Sequence, residues 1–401
     1  MSLYNFTSFW KRQRRNWRIV VTRAVFNRVL NRLTMDYTNI YIRVLGASPT
    51  ELGAVNSILG LATALIAVPR GWLEDRHSLR KIFVTSVALF ILSPLIYALA
   101  RDWIWVIPAM SLSVFSFPCA TICDVSLKNR DRGAGKALCE SIGSTPSLVA
   151  PTVAAFLITM FGGLNAEGIR PLYWIQFVGQ CLLFLYVFTQ MTEIPRPAVA
   201  VKTSGFLSDF HDVFRRGTAL KRWLVFSTVG TFTMMMTSPF RAPFAHEIKG
   251  AEQFIISGIA TSSLVIHVLL AMPLGALADR IGRKKVFYGL TPLSCASNLV
   301  LVYSPTPELL IISGILLGFQ MVSRIAVIGA MSAELVPIDC IGRWRGILGV
   351  LGGIASVLAP IVGGLLWEVL DPAYVFLIPV AVDLLVRVPL LASIPETVAL
   401  K

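Results

Sequence analysis

The chain has 401 residues, 55% of them hydrophobic and 14% charged, with 36 Lys and Arg against 22 Asp and Glu for a net charge of +14. A soluble domain carries about 25% charged residues, so this composition, with its mean hydropathy of +0.70, excludes a soluble domain and places the chain in a bilayer. The basic excess invites a nucleic-acid reading, but its distribution along the chain argues against one.

Residues 1–18 are basic and aromatic, with Phe6, Phe9, Trp10 and Trp17. Such a segment suits an anchor at the membrane interface, and no cleavable signal pattern is read in it. Twelve spans follow, near 19–45, 50–72, 80–100, 103–125, 135–161, 171–192, 222–246, 253–276, 284–304, 308–335, 346–369 and 373–393. Each is near the ~20 residues a bilayer requires. The first is the least hydropathic and is included because an internal repeat gives it a mate, the seventh. The expected fold is all-α, with one six-helix bundle over 19–192 and a second over 222–393. Between them, 193–221 holds Pro195 and Pro197 and then an amphipathic stretch. Ser204 could cap it, Phe206, Leu207, Phe210, Val213 and Phe214 share a face, and Gly217 could end it. It reads as a helix on the inner membrane surface. Residues 394–401 form a tail.

Lys and Arg cluster in alternate connections: Lys11 to Arg18, Arg76 to Lys81, Lys128 to Lys136, Arg196 to Arg222, Arg280 to Lys285, and Arg343 with Arg345. The other connections hold chiefly Arg101, Arg170 and Lys249. This is the positive-inside pattern, which puts both termini in the cytoplasm of a multi-pass plasma-membrane protein. The positive charge then faces anionic headgroups, and nucleic acid is not an expected partner. None of the cysteines (Cys119, Cys123, Cys139, Cys181, Cys295, Cys340) falls in an outer connection, so no disulfide is expected. Cys119 and Cys123 share a helix face without His or carboxylate at metal spacing, and read as small packing residues.

One phrase occurs twice, 204 positions apart: Ala67, Pro69, Gly71, Leu73, Asp75, Arg76 and Ala271, Pro273, Gly275, Leu277, Asp279, Arg280. The same offset maps Gly46-Ala47 onto Gly250-Ala251. A chain that repeats half its length has been duplicated, and duplicated halves in membranes build transporters about a pseudo-symmetry axis. The second copy continues as Ile281-Gly282-Arg283-Lys284-Lys285; the first departs at Ser78 and Leu79. These loops resemble the signature G-x-L-a-D-R-x-G-R-K of the major facilitator superfamily, and with twelve spans and a long basic middle connection the resemblance covers nearly the whole chain.

The resemblance implies two pseudo-symmetric six-helix bundles with a cavity between them and secondary active transport by alternating access. It implies no enzyme, no cofactor and no metal, and a monomer is expected. It further implies a conformational latch. Gly71 and Gly275 would let the helix end turn, and Asp75 and Asp279 would bind Arg132 or Lys136, and Arg343 or Arg345, with Arg76, Arg280 and Arg283 completing the loops. Ala355 to Gly364 in the eleventh span and Pro146 to Ala155 in the fifth are related stretches, and in the fifth the family's glycine-rich form is associated with antiport; here Pro146 stands in place of its first glycine. Ala150, Ala154 and Ala155 replace its glycines, so close helix packing accounts for them.

The first span places Arg28, Arg32, Asp36, Asn39 and Arg43 in one stripe, with Phe26, Leu30, Leu33, Tyr37, Tyr41 and Val44 on the other side. A charge at mid-span costs about 2.5–3.5 kcal/mol on the insertion scale, so these groups must face water or one another. The resemblance implies that the first, fourth, seventh and tenth spans line the cavity. They bring Ser113 and Ser116, then Ser227, Thr231, Ser238 and Arg241 with Met234 to Met236, then Gln320 and Arg324. Asp36 lies about 15 Å below the outer surface, near the midplane.

The expected solute site is therefore Arg32, Asp36, Asn39, Arg241, Gln320 and Arg324. Its excess of guanidinium favours an organic anion, bound by paired hydrogen bonds. A proton is expected to couple through Asp36. The runner-up is an exporter of lipophilic or cationic compounds exchanging against protons. A sensor, a lipid scramblase or an assembly factor on the same fold stays open. Asp383 with Arg387, and Glu140 with Lys136, read as local helix-stabilising pairs, and His267 as a satisfied buried histidine. There is no nucleotide loop, metal-ligand cluster or nucleophile set with a base.

Overall fold

The computed structural model describes residues 9–10, 12–76, 78–115, 127, 146–193, 218–335 and 341–397, with 67–76, 218, 326, 333, 341–343, 345 and 346 by backbone alone. The expected surface helix over 204–217 lies outside the described residues, as do Arg132, Lys136, Glu140, Cys119, Cys123, Cys139 and Cys340. Every regular element described is a helix. The principal α-helices in chain order are α1 (Arg15–Met35), α2 (Thr38–Val44), α3 (Pro49–Arg76), α4 (Leu79–Leu99), α5 (Val106–Ser113), α6 (Ala150–Met160) and α7 (Ala166–Gln190). They continue with α8 (Thr218–Thr237), α9 (Gln253–Ile281), α10 (Arg283–Tyr303), α11 (Leu310–Val322), α12 (Gly329–Leu335), α13 (Ile341–Val369), α14 (Tyr374–Val382) and α15 (Val388–Ala392).

Eight spans among the described residues are long and apolar enough to cross a membrane. Neither α1 nor α8 is among them. These are the first and seventh spans, repeat mates of one another, and both carry polar stripes that lower their hydropathy. Both also break at matching places. α1 stops at Asp36–Tyr37 before α2 resumes, and α8 stops at Ser238–Phe240, where Pro239 removes a backbone donor. Each then ends in a left-handed glycine, Gly46 (φ 97) and Gly250 (φ 68).

The described residues pack as two compact units, 1–38 with 65–200 and 39–64 with 201–401. In the first, Trp17, Val20, Val21, Phe83, Val87 and Val187 form a core. Phe9 and Trp17, expected at the membrane interface, are instead buried in it, because α1 starts at Arg15 and carries Trp17 inward. A polar ladder ties α1 to α7. Gln180 Nε2 donates to Asn27 Oδ1 at 2.8 Å, Gln176 Nε2 to Asn31 Oδ1 at 2.8 Å, Thr34 Oγ1 to Gln176 Oε1 at 3.1 Å, and Tyr173 OH to Thr38 Oγ1 at 3.1 Å. Such bonds hold membrane helices by about 0.6 kcal/mol each.

In the second unit, glycines set the helix spacing. A Cβ at Gly314 would lie 2.5 Å from the Ile259 carbonyl oxygen, and one at Gly318 would lie 2.8 Å from that of Ser263. This four-residue pair lets α11 lie directly on α9. The outer part of α3 meets α13 the same way. A Cβ at Gly53 would lie 2.3 Å from the Pro360 carbonyl oxygen, and one at Gly364 would lie 2.6 Å from that of Pro49. Glu368 accepts from Thr50, and Arg43 holds Glu247 with two bonds of 2.7 and 2.8 Å.

Candidate functional site

A cavity of about 550 Å³ opens within the second unit. That volume is in the range of small-molecule sites. Its wall is built mainly by α8, α11 and the turns that follow them. α8 presents Ser227, Thr231, Met234 and Ser238 at helical spacing, and α11 presents Gln320. Arg324 stands just beyond, in a π-helical turn over Ser323–Ile328. A π-turn adds a residue to the helical repeat and occurs frequently at functional sites. Here it turns Arg324 to the cavity.

Arg324 is exposed in this cavity, and its one hydrogen bond is to the thioether of Met234. Among the described residues no carboxylate pairs with it. Arg241 also reaches the cavity, but its donors are taken: Nη2 bonds Asn298 Oδ1 at 2.6 Å, and Nη1 bonds Ser297 Oγ and Ser313 Oγ, each at 3.3 Å. Its guanidinium thus anchors the turn after α8 to α10 and α11. Serines 297 and 313 and Asn298 were not legible as its partners, because they lie on faces whose sequence pattern is only mildly polar.

In the first unit, Arg32 Nη2 meets Asp36 Oδ1 at 3.1 Å. Arg32 Nε and Asp36 Oδ2 are buried and bonded to no protein group. Asn39 accepts from Asn56 Nδ2 at 3.1 Å. The stripe read from the first span therefore divides: Arg32 and Asp36 pair, Asn39 turns to α3, and Arg43 turns to Glu247. Asn27 and Asn31, missed in the sequence, form a second polar face against α7.

Three residues expected to be structural also line the cavity. His267 lines the cavity, and its Nδ1 is buried without a partner. Asp383 and Arg387 do pair, at 2.8 Å, yet both also line the cavity.

The signature loops are helical for longer than expected. α3 runs through Gly71, Asp75 and Arg76, and α9 runs through Gly275, Asp279 and Arg280. The tight turn comes instead at Gly282 (φ 107). In the first copy its place is taken by Ser78, whose hydroxyl caps α4 by accepting from Lys81 N, so the departure from glycine is met by a capping side chain. Asp279 pairs with Arg283 at 2.8 Å. Arg283 in turn grips Glu334 with two bonds, 2.8 and 2.9 Å, and Glu396 accepts from the backbone amides of Arg283 and Lys284. Glu334 and Glu396 were missed. Each is a lone carboxylate at the basic end of a span, which is the signal that could have found them. The side chains of Asp75, Arg76, Arg343 and Arg345 lie outside the described set.

Comparison with known proteins agrees with this architecture. The family model described as Major Facilitator Superfamily matches residues 25–266 and 224–399. An uncharacterised MFS-type transporter of Mycobacterium tuberculosis is 31% identical over 148 residues, covering 35% of this chain and 22% of that protein. A putative proline/betaine transporter of Staphylococcus haemolyticus is 24% identical over 319 residues, covering 71% of this chain and 66% of that protein. Among solved structures, nucleoside transporter NupG superposes with a TM-score of 0.73 at 18% identity, covering 93% of this chain and 98% of that one. A D-xylose–proton symporter superposes with a TM-score of 0.68 at 13% identity, covering 94% and 97%. At such identities the superpositions establish the fold. With a duplicated signature loop, helices throughout the described residues and a family match over 25–266 and 224–399, the chain belongs to the Major Facilitator Superfamily.

Proposed function

We propose that this protein moves a small organic anion across the membrane by alternating access, with Arg324 as the main recognition group. The observation that carries this reading is the guanidinium of Arg324, which no carboxylate meets among the described residues, in a cavity of about 550 Å³. A full charge in a membrane-embedded cavity is costly unless a ligand or water meets it, and guanidinium binds carboxylate or phosphate through two parallel hydrogen bonds. Gln320, one turn away, and the hydroxyls of Ser227 and Thr231 supply further polar contacts. Arg241 adds positive potential from the bundle interior. Three arginines and one aspartate line the cavity, an excess that favours an anion. From the first span we assign Arg32 and Asn39 to solute binding and Asp36, which meets Arg32 through one of its oxygens, to proton coupling. Both termini lie in the cytoplasm and the protein works as a monomer in the plasma membrane.

The test is thermal stabilisation of the purified protein by a panel of organic anions and cationic amphiphiles, with Arg324→Ala beside the wild type. Stabilisation by an anion that the variant loses is the expected result. Stabilisation by cationic amphiphiles alone, kept in Arg324→Ala and lost in Asp36→Asn, overturns the reading in favour of an exporter of cations.

A further inference from the structure

The last span carries an ion pair where its neighbours carry apolar side chains. Asp383 is buried, whereas Leu384, Leu385 and Val386 are exposed on the opposite face. The pair sits in a π-helical turn, Asp383–Arg387, and its four-residue spacing puts the two groups on the same side. Arg387 Nη1 donates to Asp383 Oδ1 at 2.8 Å. The guanidinium lies over the ring of Phe226 at 4.7 Å and over that of Phe287 at 5.7 Å. Gly230 leaves it room, since a Cβ there would stand 2.6 Å from Nη2.

A pair that only joined helix turns would have no reason to keep unused bonding capacity in a cavity wall. This one keeps some. Among the described residues Arg387 Nε, Thr228 Oγ1 and His267 Nδ1 are buried without a partner, and all three residues line the same cavity. Unmet buried polar atoms cost about 1–3 kcal/mol each, and three around one space point to a polar ligand. Asp383 retains acceptor capacity as well, because a carboxylate offers about four lone-pair sites.

The net charge of this pole is zero. It presents an N–H donor beside a carboxylate acceptor. A charged ligand group placed here would unbalance a desolvated pair, which is costly. A neutral group with an N–H and a C=O side by side would satisfy both. We propose that Asp383 and Arg387 form a second recognition pole of the solute cavity, specific for an amide-like edge carried by the anion at the end remote from its charged group. This rests on the reading that Arg324 binds the anionic end.

The experiment measures binding of three carboxylates of equal chain length to the purified protein by calorimetry: succinamate, whose primary amide carries an N–H and a C=O on one edge, levulinate and pentanoate. The first has both donor and acceptor, the second only the acceptor, the third neither. The variants are Asp383→Asn and the neutral double variant Asp383→Asn/Arg387→Gln. The double variant leaves no unpaired charge and keeps the test open if the single one fails to fold.

In the wild type, succinamate is expected to bind about tenfold more tightly than pentanoate, with levulinate between, as one well-made hydrogen bond provides. In the double variant that ratio is expected to fall to about one. An equal affinity for all three in the wild type, the same ratio in the double variant, or no binding by any of them overturns the inference. Retention of all three affinities in Arg324→Ala would instead overturn the anion reading on which it rests, so the two failures are told apart.

Discussion

A guanidinium in a bilayer needs a partner, and four described arginines meet theirs in different ways. Arg241 finds an amide and two hydroxyls, Arg43 a carboxylate held by two bonds, and Arg387 a carboxylate and two rings. Arg324 finds a thioether. The last is the weakest acceptor of the set, which is why Arg324 has most to gain from a ligand. Lysine keeps the charge but not the paired geometry. Arg324→Lys is therefore expected to weaken binding of a stabilising anion by about tenfold or more, read by isothermal calorimetry; affinity equal to wild type would show that only the charge matters. At Gly318 the cause is steric. A side chain there meets the Ser263 carbonyl, and overpacking costs about 1–3 kcal/mol. Gly318→Leu should lower the melting temperature, while the same change at Gly349, where nothing lies near, should not.

Elements carry the conformational behaviour. Arg43 and Glu247 are 204 positions apart, the repeat offset itself. Each stands three residues before a left-handed glycine, so duplication brought one position to face its own copy, and opposite charges now join them. Alternating access requires the ends of the first and seventh spans to part at some stage. Arg43→Glu or Glu247→Arg alone should increase access at that end, measured as alkylation of a cysteine placed at Thr231 in a background freed of native cysteines. The double swap should restore the wild-type rate, and additive effects would show that the pair does not act as a latch. At the basic end, Asp279 is mostly exposed, and such pairs are worth about 0–1 kcal/mol. Glu334 is enclosed and holds Arg283 with two bonds. Glu334→Gln is expected to change the alkylation rate more than Asp279→Asn, and the reverse order would return the latch to the aspartate of the signature.

At the scale of the whole molecule, duplication explains what was legible. The repeat, the alternation of basic connections and the length of the spans are long-range periodic signals, and they led to the family and the all-α fold. Gln320, Arg324, Ser227 and Thr231 were legible for the same reason: polar groups at helical spacing inside apolar spans leave few places to go. Contacts between distant helices were not. Asn27 and Asn31 seemed incidental until α7 supplied Gln176 and Gln180. The signature loops read as turns because their glycines suggested a helix end, whereas the helices continue to Arg76 and Ile281. Asp383 and Arg387 read as a local pair because four-residue spacing is sufficient to explain the bond, and spacing says nothing of the cavity beside it.

The most direct test of the account is uptake of the anion that best stabilises the protein, measured in proteoliposomes holding equal amounts of wild type or Arg324→Ala. Saturable uptake by the wild type and none above empty liposomes by the variant is the predicted result. Equal uptake by both, or movement of cationic amphiphiles with no anion uptake by the wild type, would contradict it.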